Sequence, residues 1–176
     1  MIGVHMNNIW LRYFLILLLG LLSGCWFTQK DSVGSASNHT ALLCSGVYGA
    51  RVLEEFSATW ITNHKTLEQI YSTLGKHQIE SGGALPEIDF KIHGILLLEM
   101  GQRPTGGYTI NFDSSLSCVV DKKAVIHVIL KSPAKGMVVT QAVTSPFMLL
   151  KVRHVDLTSI SVLGQNEQSL FELFIP

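Results

Sequence analysis

Residues 124–130 read AVIHVIL, and this stretch decides the fold class of the chain. Its side chains divide between the two faces of an extended strand, with residues 124, 126, 128 and 130 on one face and residues 125, 127 and 129 on the other. Both faces carry β-branched residues, which favour extended backbone. The stretch therefore predicts a β-strand that belongs to a sheet.

Other strand-like segments lie on both sides of this stretch. Each shows period-two alternation or a short apolar run, and turn-forming residues separate them. The segments are residues 88–92, 95–98, 108–112, 137–143, 147–152 and 170–175. The turns among them are residues 133–136, 145–146 and 164–166, which contain proline, glycine or asparagine. The pattern predicts an antiparallel, sandwich-like β domain of about six or seven strands.

A helical segment precedes these strands. Apolar residues from Trp60 to Leu74 recur near helical spacing, Thr66 and Gln69 have the spacing of a capping box, and Gly75 stands where helices often end. We expect one amphipathic helix of about two to four turns, packed against the sheet. The predicted fold class is α+β, mainly β.

The first 24 residues have the composition of an export signal. Arg12 is followed by an apolar run of about 10 residues, whereas a membrane-spanning helix needs about 20. Leu22-Ser23-Gly24-Cys25 resembles the bacterial lipobox. The resemblance implies that Cys25 becomes the first residue of the mature protein and carries lipid acyl chains such as palmitate. The alternatives are an ordinary signal peptide with a chance cysteine and a short membrane anchor.

The predicted organisation is a signal peptide in residues 1–24, a lipidated flexible tether in residues 25–40 and one globular domain in residues 41–176. Removing 24 of the 176 residues leaves 152, which suffices for a single core. Trp26 rather than aspartate follows the cysteine, which in lipoproteins implies the outer membrane, facing the periplasm. The chain has 13 basic and 13 acidic residues, so charge predicts no nucleic-acid binding.

Cys44 and Cys118 remain once Cys25 is assigned to lipid. In an oxidising compartment this even pair either forms a disulfide or stays as two buried thiols, and the sequence leaves both alternatives open.

Catalytic and metal-binding motifs are missing from the sequence. The seven histidines are scattered singly, and the sequence contains no HExxH, CxxC or GxSxG pattern. We therefore expect no enzyme activity, no metal site and no cofactor.

Residues 101–108, GQRPTGGY, form the least ordinary stretch, between two predicted strands. Glycines permit positive φ and close backbone approach, and the proline fixes the local direction of the chain. The candidate partner-binding residues are Arg103, Pro104, Thr105, Gly106, Gly107 and Tyr108, with Pro146 and Phe147 in a second turn. The alternative is a turn that only closes a corner of the sheet.

This stretch resembles the signature GxRPTGGY of the PrcB C-terminal domain family, and the resemblance extends over residues 86–152. It includes Asp89-Phe90, the turn at Lys131-Ser132-Pro133, and Ser145-Pro146-Phe147. Because PrcB is a lipoprotein subunit of a bacterial protease complex, the resemblance implies a non-catalytic, protein-binding or protease-associated accessory module. The expected partners are membrane lipid, through Cys25, and a protease or other envelope protein.

Two other functions stay open. The PTGGY loop is similar to the NPTTGY loop of chagasin-type cysteine protease inhibitors, although Arg103 and Gly106 depart from that motif. The chain can also be a structural envelope lipoprotein without a dedicated partner.

Overall fold

The computed structural model describes residues 34–35, 39–49, 51, 53–74 and 85–175. All of these belong to one unit, Val33–Pro176. The predicted signal peptide, Cys25, most of the predicted tether and Gly75 lie outside the described residues. No helix among the described residues is both long enough and apolar enough to cross a membrane.

The described residues form nine strands, one α-helix and a short 3-10 turn. The strands are β1 Gly34–Ser35, β2 Thr40–Gly46, β3 Ser57–Ile61, β4 His93–Glu99, β5 Thr109–Val120, β6 Lys123–Lys131, β7 Phe147–Arg153, β8 Ser159–Leu163 and β9 Ser169–Phe174. The helix, α1, is His64–Thr73, and the 3-10 turn is Gln165–Glu167. The chain is therefore mostly β, as predicted.

The strands make two sheets. One has the order β1-β5-β6-β8-β9 and the other β2-β7-β4-β3. All paired strands are antiparallel except β6 and β8, which are parallel. The prediction of an antiparallel domain is thus corrected to one antiparallel and one mixed sheet.

Two hydrophobic clusters lie on opposite faces of the four-stranded sheet. The first joins β4 and β7 to β5, β6 and β8, so the two sheets pack face to face in a sandwich-like arrangement. The second joins β4 and β7 to α1 and to residues 85–90. Since β4 is covered on both faces, it carries a continuous apolar run from Ile95 to Leu98 instead of alternating polar residues.

The helix begins later than its sequence pattern suggests. Trp60 lies in β3, paired with Leu96, and the helix starts at His64. The N-cap is Asn63, whose side-chain oxygen accepts a hydrogen bond of 2.9 Å from the backbone N–H of Thr66. The predicted capping box, which would make Thr66 the N-cap, is therefore wrong. The helix already begins at His64, and Asn63 is its N-cap.

Two predicted strands are absent from the described residues. Residues 88–92 form a turn in which Asp89 accepts hydrogen bonds from the backbone of Lys91, Ile92 and His93. Residues 137–143 form a loop without ladder pairing. In contrast, β2, β3 and β8 were not predicted; their short segments lack a clear period.

The tether and the cysteine pair also differ from expectation. Within the predicted tether, Gly34 and Ser35 pair with Val119 and Cys118 of β5. Cys44 and Cys118 are free thiols, so the Cys44–Cys118 disulfide is not formed. Cys44 points into the cluster beneath α1, whereas Cys118 belongs to the other sheet. Of the two free thiols, Cys44 is buried and Cys118 is half-buried.

Candidate functional site

Four connections meet at one end of the sandwich. In the sheet of four, Gly46, Ser57, Glu99 and Phe147 stand at this end, and in the sheet of five Thr109 pairs with Lys131 there. The side chain of Gln165 reaches the Leu130 carbonyl at 2.5 Å. We call this end, with connections 47–56, 100–108, 132–146 and 164–168, the loop end. It contains the whole GQRPTGGY stretch.

Backbone hydrogen bonds fasten these connections to one another. The N–H of Arg103 donates to the Thr144 carbonyl at 2.8 Å, and the N–H of Thr144 donates back to Arg103 at 2.9 Å. The N–H of Gly106 donates to Thr140 at 2.9 Å, and that of Gln102 to Leu53 at 2.6 Å. The loop therefore has a fixed position between its neighbours.

Two glycines of the loop are required by backbone conformation and by space. Gly101 has φ +82°, and a Cβ there would lie 2.8 Å from the Glu55 carbonyl oxygen. Gly107 has φ +86°, and a Cβ there would lie 3.0 Å from carbons of Pro133 and Val139. Since both sites combine positive φ with close neighbours, these glycines serve the packing of the loop. They support the interpretation of the motif as a sheet corner.

Arg103 is largely used inside the loop. Its Nη2 donates to the Met100 carbonyl at 2.7 Å, and its Cζ lies 6.0 Å from the ring centroid of Tyr108. Tyr108 in turn packs against the core between the sheets. Both residues are half-buried, whereas Pro104 and Gly107 are exposed and Gly106 is buried. The six predicted residues thus form one connected loop, but only part of it faces solvent.

Thr144 joins the two main loops through its side chain. It is 4 % exposed, and its hydroxyl donates to the Thr105 carbonyl at 2.8 Å. Because Arg103 also exchanges two backbone bonds with Thr144, this residue holds both sides of the GQRPTGGY loop.

Pro146 and Phe147 do not belong to an accessible surface. Phe147 is 1 % exposed and packs in the cluster beneath α1. Pro146 is buried, and its carbonyl accepts a hydrogen bond of 2.8 Å from Met100. Their prediction as partner-binding residues is corrected: β7 starts at Phe147, whose side chain faces the helix layer.

A buried charge pair lies beside the loop and was not predicted. Glu99 is fully buried at the end of β4, and its Oε2 accepts from Nε and Nη2 of Arg51 at 2.8 Å and 2.5 Å. Nη2 also donates to Thr59 at 2.8 Å and to Ser57 at 3.3 Å. The only sequence signal was a glutamate that ends an apolar run. The pair anchors connection 47–56 to the sheet.

Ser145 lies next to this pair. The space beside Gly49 shows how close the Ser145 hydroxyl and the Glu99 carboxylate are. A Cβ on Gly49 would lie 2.9 Å from Glu99 Oε1 and 3.0 Å from Ser145 Oγ. The Ser145 hydroxyl is buried and has no hydrogen-bond partner among the described residues. Gly49 itself donates to the Ser145 carbonyl at 2.6 Å.

Several apolar side chains at the loop end are exposed. Their exposed fractions are 44 % for Tyr48, 58 % for Met137, 99 % for Val138 and 59 % for Val143. Residues 137–143 alternate like a strand, so their pattern carried no separate signal for an exposed surface. A rigid loop cluster with exposed apolar groups is suited to contact with another macromolecule.

The described residues hold no group of three or more His, Cys, Asp or Glu side chains placed to bind a metal ion.

Part of the chain matches a known family model. Residues 95–153 match the family model described as PrcB C-terminal, which confirms the predicted resemblance for this segment. The match covers 59 of the 176 residues, from β4 to the end of β7, and includes both loops that Thr144 joins. No curated protein and no solved structure showed a significant match to the chain.

Proposed function

We propose that this protein is a non-catalytic accessory module that binds another protein, such as a protease, through its loop end. The observation that carries the proposal is the coincidence of the PrcB C-terminal match with both fastened loops. The similarity suggests a role in a protease complex, and the loop end supplies a surface for it.

The rigidity of the loop end favours binding. Ordering a flexible loop on association costs free energy, roughly 0.5–1.5 kcal/mol for each immobilised side chain. Backbone bonds at Gln102, Arg103, Gly106 and Thr144 fix the loop before any partner arrives. The exposed apolar groups around it then provide contact area.

Membrane attachment is the second part of the proposal. Acylation of Cys25 would tether the module to the bilayer, because each buried methylene contributes about 0.8 kcal/mol and more than one chain holds firmly. The lipobox resemblance supports an outer-membrane lipoprotein facing the periplasm.

β2 begins at the end of the sheet of four that is opposite the loop end. His39 accepts a hydrogen bond of 2.8 Å from Arg153, and Thr40 pairs with Val152, at the opposite end of the sheet of four. His39 and Thr40 therefore lie at the end of the domain far from the loops. β4, with seven residues, separates the two ends by about 20 Å.

Photo-crosslinking in intact cells tests the binding function. The full chain would carry p-benzoylphenylalanine at Gln102 or Tyr48, both exposed at the loop end, or at Ile92 or Val155 at the opposite end. We expect a discrete protein adduct from the loop-end positions and none from the control positions. Equal adducts from both ends, or none from either, would contradict the proposal.

Fractionation of cells tests the anchor separately. Wild type should be recovered with the outer membrane, whereas Cys25→Ala should remain an uncleaved precursor or become soluble. A Cys25→Ala protein that is processed and fractionates like wild type would refute lipidation at this residue.

A further inference from the structure

A histidine begins an inner strand of the sheet of four, at the end opposite the loop end. His93 is the first residue of β4, and Arg153 stands directly opposite it on β7. Lys151 is the partner of Ile95, two residues further along β4. Because alternate residues of a strand share a face, the side chains of His93, Arg153 and Lys151 lie on the same face of the sheet. This is the face on which α1 packs, since Ile95 belongs to the cluster beneath the helix.

The turn that leads into β4 is closed at His93. The backbone N–H groups of Ile92 and His93 both donate to the Asp89 carbonyl, at 3.1 Å and 2.9 Å. Ile88, the residue before Asp89, is 4 % exposed and packs in the cluster beneath α1. We call residues 88–93 the entry turn. It holds an apolar side chain against that cluster.

Two cations and one carboxylate act on the ring of His93. Lys151 and Arg153 act from β7, and Asp89 acts from the entry turn. The Asp89 side chain is exposed and already accepts a hydrogen bond of 2.9 Å from the N–H of Lys91. Burial, together with Lys151 and Arg153, lowers the pKa of His93 from its ordinary value of 6.5, although Asp89 opposes the change. His93 is therefore mainly neutral at pH 7 in the folded protein.

The other histidines near the entry turn make different contacts. The Nε2 of His154 lies 3.2 Å from the Phe90 carbonyl oxygen, and a hydrogen on Nε2 can serve this bond in a neutral or a charged ring. The ring of His64 packs on the ring of Phe90, with 4.7 Å between the centroids. His39 meets Arg153 through its backbone carbonyl, at 2.8 Å.

The charges of the neighbouring helix lie in solvent. The titratable groups in the first half of α1 are His64, Lys65 and Glu68, and all three are exposed. Protonation of His93 would therefore be felt mainly at Lys151 and Arg153, because exposed charges are screened by water and salt.

We propose that His93 makes the entry turn sensitive to acid: its protonation places a third positive charge beside Lys151 and Arg153 and opens residues 88–93, which uncovers one side of the cluster beneath α1. Like charges that stand opposite each other on paired strands are destabilising. His93 is the end residue of β4, so opening the turn relieves the repulsion with less loss of packing than unfolding the sheet. The inference is independent of the proposed binding function.

The direction of the pH dependence follows from the lowered pKa. The open turn binds a proton on His93 more readily than the closed turn does, so acid favours the open form. The closed form has its full stability well above pH 6.5. It loses this contribution as pH falls below 6.5 and the ring becomes charged.

Amide hydrogen exchange in the full chain, resolved by NMR, tests the proposal. The N–H groups of Ile92 and His93 report on opening of the turn, because both are bonded to Asp89. Between about pH 7.5 and pH 5, after correction for the intrinsic exchange rate, we expect their protection factors to fall roughly two- to fivefold, the size of one cross-strand charge interaction. The amides of Ile126 and Val128, in the middle of β6, should keep their protection.

Three variants identify the group that responds. His93→Gln keeps a polar side chain without a titratable charge and should abolish the loss of protection in acid. Arg153→Gln removes the facing cation, so it should reduce the loss and raise the titration midpoint of the His93 ring toward 6.5. His127→Gln is the matched control, since it changes another half-buried strand histidine in the other sheet, and it should behave like wild type.

Several results would overturn the inference. Wild-type protection that is equal at both pH values, or a His93 titration midpoint at or above 6.5, would refute it. A loss in acid that persists in His93→Gln would assign the response to another group, and a loss abolished by His154→Gln instead would make His154 the sensor. If His93→Gln leaves the turn open at both pH values, an Arg153→Gln protein with the full wild-type loss in acid would still contradict the proposal.

Discussion

The carboxylate of Glu99 is fully buried and receives two hydrogen bonds from the guanidinium of Arg51, whose side chain is 44 % exposed. Removing one member of a buried pair leaves the other charge without compensation, at a cost of roughly 3–5 kcal/mol. Because water can partly replace this guanidinium, we expect about 2 kcal/mol for Arg51→Ala. Urea unfolding at neutral pH measures the loss.

Two further variants separate charge from geometry at this pair. Arg51→Lys keeps the charge but cannot reach Glu99, Ser57 and Thr59 with one planar group, so it should recover only part of the stability. Glu99→Gln should cost less than Arg51→Ala, since the remaining Arg51 can be hydrated. A loss below about 0.5 kcal/mol for Arg51→Ala would show that the pair adds nothing.

Gly107 and Gly136 provide a matched comparison for the loop. Both have positive φ, +86° and +83°, so alanine costs each of them roughly 1–2 kcal/mol of backbone strain. At Gly136 nothing lies within 4 Å of the Cβ position, whereas at Gly107 Pro133 and Val139 lie at 3.0 Å. We expect Gly107→Ala to lower the free energy of unfolding by at least about 1 kcal/mol more than Gly136→Ala. Equal losses would mean that the loop shifts without cost.

Thr144 should be sensitive to loss of its hydroxyl but not of its methyl group. Thr144→Val leaves the partly buried Thr105 carbonyl without this donor, at a cost of about 1–2 kcal/mol. Thr144→Ser keeps the donor and should lose less than about 1 kcal/mol. Denaturant midpoints of the two variants give the comparison, and the reverse order would contradict the role assigned to the hydroxyl.

Cys44 should react slowly with alkylating agents in the folded protein. Burial raises the pKa of its thiol to about 11, against an opposing hydrogen bond with Tyr71. At pH 8 the thiolate fraction falls on the order of 100-fold below that of a thiol with a pKa of 9.0. Iodoacetamide labelling with mass spectrometry, in native buffer and in urea, tests this. Rapid labelling of Cys44 in the native protein would contradict its burial and its raised pKa.

The same pKa has a consequence for stability. The folded state holds the Cys44 proton more tightly than the unfolded chain, so this contribution is complete below about pH 9. It is lost as pH rises through about 11. A Cys44→Ala variant should therefore show less alkaline destabilisation than wild type in that range.

Strands with strong periodicity were predictable from sequence. The alternation in residues 124–130 identified β6, and the apolar run 95–98 identified β4. What the sequence could not indicate is the second face of β4, because a run of leucines is equally compatible with one covered face or two. For the same reason Phe147 was mistaken for a surface residue. The helix that covers its side chain is distant in sequence.

Local patterns failed where tertiary contacts decide. Residues 137–143 alternate like a strand, but Thr140 and Thr144 bond to the GQRPTGGY loop instead of to a ladder. Trp60 fits the helical pattern, yet it lies in β3 and packs over Gly94, where a Cβ would be 2.1 Å from its ring. For the candidate site, the loop itself was predicted, whereas the pairing of Arg51 with Glu99 depends on a long-range contact that periodicity does not report.

The parallel pairing of β6 and β8 interleaves the two sheets along the chain. The chain leaves β6 at the loop end and returns through β7, in the middle of the other sheet, before it can form β8. Each sheet is built from strands that are separated in sequence by strands of the other sheet, so folding requires contacts between distant residues and should be slow for a domain of this size. A fragment limited to residues 95–153 would lack β2, β3, β8 and β9 and would expose the faces that they cover. The segment shared with the family is therefore the centre of a larger folding unit, and truncation to it should yield an aggregating chain.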